Sequence, residues 1–144
     1  HMTYLSEQAV SEKFGRRFRE ENLFEVESYL RYRGIQFVDR FDANSYLYIT
    51  KAMDLFDLTN DGALTLDAAL EPAITRFLVI SFTSDWLYPS YQSLEIVNAL
   101  RRRNHDVTYC ELPSNYGHDA FLVEVGEQTG IVRGFLARTF REAG

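Results

Sequence analysis

The 144-residue sequence has one cysteine, no apolar run longer than four residues and no excess of basic charge. Each shortage closes off a class. The lone thiol, Cys110, cannot form an intrachain disulfide, and its apolar surroundings predict a small buried residue in a reducing compartment. Runs such as Phe77–Ile80 fall far short of a membrane span, so no membrane partner is expected. A net charge of −6 argues against general binding to nucleic acid. The three histidines show neither HxH nor HxxxH spacing, so no metal site is expected. The opening HMTYLSEQ has neither a basic nor an apolar segment; no secretory leader is expected, and the predicted location is the cytoplasm. One more thing is missing. No G-x-S-x-G, the turn that presents a nucleophilic serine, occurs anywhere in the chain.

What is present divides in two. Apolar residues make up 46% and charged residues 25%, enough to build one ordinary globular domain. The first half reads as wholly helical. Ser6 is placed to cap a helix over residues 7–19, striped by Val10, Phe14 and Phe18. A second helix, 24–40, carries Val26, Leu30 and Phe37, with Gly34 marking a bend or a close contact. Asp42 can cap a third, 43–56. Its two apolar stripes (Tyr46, Ile49, Met53, Phe56 and Leu47, Tyr48, Ala52, Leu55) predict a sandwiched or interfacial helix. Asp57, Asp61 and Gly62 resemble part of a calcium loop, but Ala68 stands where a bidentate glutamate is required. A turn and a short helix, 65–70, are expected there instead.

The second half spells β-α-β-α. Residues 77–82 and 107–112 read as buried parallel strands. A helix over 90–103 joins them, with Leu94, Val97 and Leu100 facing inward, and a last helix, 127–141, is expected to bury Ile131, Phe135, Leu136 and Phe140. Arg101–Arg103 read as solvated cations at a helix C-terminus, and His105 as an exposed turn residue. Two parallel strands joined by one crossover have their C-terminal ends on the same side, where ligand sites of such sheets lie. Asp85 follows the first strand and His118 the second. A carboxylate that fixes an imidazole, and an imidazole that moves a proton, are two members of a nucleophilic triad. The plainer alternative is that Asp85 caps the turn before Trp86 and His118 is an ordinary loop histidine.

Several segments carry a family likeness: TYLSE (Thr3–Glu7), KFGRR (Lys13–Arg17), FEVESYLRYRG (Phe24–Gly34), RFDANSYLYIT (Arg40–Thr50), SFTSDWLYP (Ser81–Pro89) and YGHDAFLVE (Tyr116–Glu124). In this order they resemble the C-terminal portion of homoserine O-acetyltransferases, acyltransferases of the α/β-hydrolase fold. The resemblance implies an α/β fold: a helical lid over residues 1–75, and over 76–144 the last two parallel strands of the core with their helices. It implies acetyl transfer from acetyl-CoA to L-homoserine in methionine biosynthesis, through a serine acyl-enzyme and without a cofactor. Asp85 would be the triad acid, His118 the base, Asp119 a ligand for the substrate amino group and Tyr4 a lid residue at the pocket. The family's serine, oxyanion hole and substrate arginine lie upstream of TYLSE. The chain is therefore expected to be a fragment, inactive alone, that self-associates as a homodimer through the lid helices. A succinyl donor, a serine acceptor, an esterase and a non-catalytic helical interaction module stand as alternatives.

Overall fold

The computed structural model describes residues 3–143; His1, Met2 and Gly144 lie outside them. Helix α1, Glu7–Phe14, starts as expected, with the Ser6 hydroxyl accepting the Ala9 N–H at 3.1 Å. It stops five residues early. Gly15 ends it at φ 53° and ψ −137°, a backbone conformation open to glycine, and its N–H bonds the Ser11 carbonyl. The residues beyond form a small antiparallel hairpin, β1 (Phe18–Glu20) and β2 (Leu23–Phe24), which the helical stripe concealed. Asn22 takes the positive-φ turn position, and the Phe18 and Phe24 rings stack at 4.3 Å across the pair. The first half is thus not wholly helical.

In helix α2, Glu25–Arg40, Gly34 marks no close contact: a side chain there would meet no atom within 4 Å. Helix α3, Ala43–Asp54, is capped by Asp42, whose carboxylate accepts the Ser45 N–H at 2.7 Å. That hydrogen bond holds the Asp42 pKa below its ordinary value. In the next loop the Asp57 carboxylate takes the Thr59 hydroxyl and the Thr59 and Asp61 amides at 2.6–2.8 Å. It acts there as the organiser of an Asx turn. Helix α4, Leu66–Leu70, starts at Thr65 as expected.

Strands β3 (Phe77–Phe82) and β4 (Val107–Leu112) pair in parallel, Phe77 opposite Val107 through Phe82 opposite Leu112, with helix α5, Ser90–Arg102, between them in sequence. Val97 and Leu100 of α5 are fully enclosed, worth about 1.5–3 kcal/mol each by burial alone. Leu94 stays more than a third exposed. A second cluster joins Phe82 and Leu112 at the strand ends to Ala120, with Ile80 and Ile131 packed against it. Ala120 opens α6, Ala120–Val123, and Ile131 belongs to α7, Val125–Ala143. Of the residues expected to be buried on α7, Leu136 and Phe140 are exposed, Phe140 at 84%. Among the described residues, α7 packs on this cluster through Ile131 and leaves Val132, Leu136 and Phe140 exposed.

Three smaller expectations change. Arg102 and Arg103 are not simply solvated: both reach Asp67 of α4 (3.4 and 3.5 Å), and Arg103 also reaches Glu71 (3.3 Å). Asp67 is held below its ordinary pKa, first by its own backbone N–H and then by the Arg102 charge. His105 is half-buried, edge-on to Phe77, with a buried Nε2 that finds no partner among the described residues. Cys110 is only partly buried.

Candidate active site

The register of β3 and β4 brings Phe82 and Leu112 side by side, so the two loops that follow leave the sheet together. The Thr83 N–H extends the ladder by one bond, to the Leu112 carbonyl at 3.0 Å. The Thr83 hydroxyl then accepts the Ser114 N–H at 3.1 Å and donates to the Ser114 carbonyl at 3.3 Å. One residue on, the Ser84 hydroxyl accepts the Gly117 N–H at 2.9 Å. Asp85 comes next in one loop and His118 in the other.

Asp85 is 8% exposed, and each of its oxygens has a separate task. Oδ1 accepts the Leu87 and Tyr88 amides at 3.0 and 2.9 Å, which pins the carboxylate to its own loop. Oδ2 lies 2.8 Å from His118 Nδ1. Capping a turn and holding a histidine, weighed above as alternatives, occur together. With an ionised carboxylate as acceptor, Nδ1 carries the proton and Nε2 is left as the lone-pair nitrogen. Nε2 has no hydrogen-bond partner among the described residues.

His118 stands on a short 3-10 turn, Gly117–Asp119, ringed by Tyr4 (5.7 Å), Tyr88 (5.1 Å) and Phe121 (5.3 Å) between ring centres. Beside the pair lies a cavity of about 190 Å³, lined by Phe82, Asp85, Tyr88, Ser93, His118 and Phe121 among others. The segment Tyr4–Ser6 straps both loops. The Tyr4 carbonyl accepts the Asp119 N–H at 2.9 Å, the Leu5 carbonyl accepts the Trp86 indole N–H at 3.2 Å, and the Ser6 hydroxyl donates to the Asn115 carbonyl. All four residues singled out from the sequence therefore meet in one place. Asp119 is half-buried, and its carboxylate makes no hydrogen bond or ion pair among the described residues. Sequence reasoning missed Thr83, Ser84 and Ser114. Their one visible signal was a hydroxyl side chain within two residues of each strand end.

Among the described residues, no three His, Cys, Asp or Glu side chains gather as metal ligands would, and no helix is long and apolar enough to cross a membrane.

No family model matches the chain. Individual relatives do. It is 53% identical over 148 residues to the homoserine O-acetyltransferase of Methanohalobium evestigatum, covering 97% of the chain and 30% of that protein. The protein of the same name from Solidesulfovibrio magneticus is 48% identical over 153 residues, covering 99% of the chain and 38% of the relative. The chain is homologous to a segment of the homoserine O-acetyltransferases. It spans roughly a third of the length of these relatives. Two solved structures superpose on it. The homoserine O-acetyltransferase of Bacillus anthracis does so with a TM-score of 0.74 at 23% identity, over 86% of the chain and 35% of that structure. The L374D mutant of esterase E22 gives 0.75 at 23% identity, over 94% and 39%. The fold is that of part of an α/β-hydrolase.

Proposed function

We propose that this chain supplies the proton-handling half of a homoserine O-acetyltransferase active site. One observation carries the reading. In a segment about half identical to proteins of that name, a buried carboxylate holds an imidazole at 2.8 Å and leaves its other nitrogen without a partner among the described residues. His118 Nε2 takes the proton of a serine hydroxyl as it attacks the acetyl thioester, and returns it to the departing thiolate of coenzyme A. The same nitrogen then takes the proton of the homoserine hydroxyl as that oxygen attacks the acyl-enzyme, and returns it to the serine oxygen as O-acetylhomoserine leaves. Asp85 fixes the tautomer and stabilises the imidazolium formed in each half-reaction. The uncommitted carboxylate of Asp119, one residue from the base, is suited to the substrate ammonium, and Tyr4, against the imidazole, to the wall of the acceptor pocket.

No G-x-S-x-G occurs in the 144 residues, so the serine would be supplied from outside them. The 144-residue polypeptide alone then makes no O-acetylhomoserine. Tyr46, Leu47, Tyr48, Ile49 and Met53, exposed on α3, offer an apolar face to a second copy in a cytoplasmic homodimer built through the lid helices.

An esterase is the second reading, favoured by the equally good superposition on esterase E22. The intact protein is assayed with acetyl-CoA and either homoserine or water as acceptor. Transfer to homoserine far above hydrolysis supports the proposal, and hydrolysis alone supports the esterase. Unchanged turnover in His118→Ala would show that the imidazole does no chemistry and leave an interaction module. Succinyl-CoA and serine, offered in parallel, separate the related donors and acceptors.

A further inference from the structure

Gly117 is closely hemmed in by the Tyr4–Ser6 backbone. It is buried at φ 70°, and a Cβ there would lie 2.4 Å from the Ser6 nitrogen, 2.7 Å from the Leu5 carbonyl carbon and 2.9 Å from the Tyr4 oxygen. Its N–H donates to Ser84 Oγ at 2.9 Å. Ser84 immediately precedes Asp85, and Gly117 immediately precedes His118. A single hydroxyl thus joins the residue before the carboxylate to the residue before the imidazole.

We infer that Ser84 is a positioning residue for the Asp85–His118 pair: by accepting the Gly117 N–H it fixes the Tyr116–Gly117 peptide that leads into His118. The strap at Tyr4–Ser6 limits where the Gly117 Cα can go. The Ser84 hydroxyl limits how the peptide on its N-terminal side is turned, and together the two set where the chain enters His118 and so how the imidazole approaches Asp85 Oδ2. The neighbouring Thr83–Ser114 link cannot do this, because Asn115 and Tyr116 intervene between Ser114 and Gly117. Without the Ser84 oxygen a buried N–H loses its acceptor, and the turn has a reason to rotate in search of another.

The inference rests on the proposed role of His118 but not on the identity of the acyl donor or acceptor. Its test compares Ser84→Ala and Ser84→Thr in the intact protein by turnover and by the downfield proton resonance of the His118 Nδ1–H. In Ser84→Ala, kcat should fall about 10- to 100-fold, the scale set by displacing a reacting group by ~1 Å, while the KM for homoserine changes less than about threefold. The resonance should weaken or move upfield. Ser84→Thr keeps the oxygen and should restore both. Wild-type kcat and resonance in Ser84→Ala would overturn the inference, as would a Ser84→Thr variant as impaired as the alanine. If Ser84→Ala does not fold, hydrogen exchange at the wild-type Gly117 amide decides: slow exchange supports a held peptide, and exchange as fast as at an exposed loop amide contradicts it. A protein with no acyl transfer at all would sink the proposed function, while the resonance and exchange readouts would still judge Ser84.

Discussion

Helices α3 and α5 are of similar length and both carry apolar stripes, yet they end in different surroundings. Helix α5 encloses Val97, Ala99 and Leu100 against strands that the same chain provides. Helix α3 encloses nothing: Tyr48 is 78% exposed, and Leu47, Ile49 and Met53 stand open beside it. Helix α2 likewise has no buried residue. The stripe in a sequence records that a helix has a partner, but not where the partner is. In the second half the partner is local, and the Asp–His pair is held by that packing. Among the described residues of the first half, the Tyr4–Ser6 strap is what engages the site. Much of the rest leaves apolar side chains exposed, the surface that the proposed dimer would cover.

That contrast can be broken by substitution, and the largest effect is expected where backbone is gripped. Gly117→Ala combines a left-handed φ with a Cβ inside van der Waals contact of the Tyr4–Ser6 backbone. It should destabilise the intact protein by about 2–3 kcal/mol in denaturant unfolding, and acyl transfer should collapse with it. Leu47→Glu with Tyr48→Glu, on the open face of α3, should leave unfolding within about 0.5 kcal/mol. The pair should convert the proposed dimer to monomer in sedimentation. An unchanged dimer would move the interface elsewhere. Gly34→Ala makes the sharpest contrast with Gly117. The α2 site is open, so the helix should gain roughly 0.5–1 kcal/mol, read as a higher unfolding midpoint.

The smallest effect is expected at the Asp42 cap. Its folded pKa lies below the ordinary value because the carboxylate accepts the Ser45 N–H. The stabilisation is therefore complete above the ordinary carboxylate pKa and disappears as pH falls through the depressed folded one. The protection of the Ser45 amide against hydrogen exchange, relative to an unstructured amide at the same pH, should fall in that acidic window and stay constant through neutral pH.

Much of the second half could be read in advance because its signals are local. The apolar run Phe77–Phe82 gave strand β3 to the residue, Val107–Leu112 gave β4, and their parallel pairing placed Asp85 near His118 before any distance was known, although only Ser81, Phe82 and Leu112 of the two strands are buried rather than half-buried or exposed. The caps at Ser6 and Asp42 were legible for the same reason: each involves a side chain and an amide three residues away. What escaped was set by long-range contact or by backbone sign. Gly15 ended α1 inside an unbroken apolar stripe, and the hairpin behind it depended on Asn22 adopting a positive φ. Arg102 and Arg103 found Asp67 on a helix some 35 residues away. The Ser84–Gly117 bond spans 33 residues, and nothing in the composition of either loop announced it.

The central claim is that Asp85 acts through His118, as the orienting carboxylate of a general base. A double-mutant cycle of turnover in the intact protein tests it most directly, using Asp85→Asn, His118→Ala and the pair together. Asp85→Asn alone should cost about 10⁴-fold in kcat, as loss of the orienting carboxylate does in such triads. With the imidazole already gone, the same substitution should cost almost nothing further, since groups that act as one unit are strongly non-additive. Two penalties that multiply in the double variant would mean that Asp85 and His118 work independently, and would contradict the account.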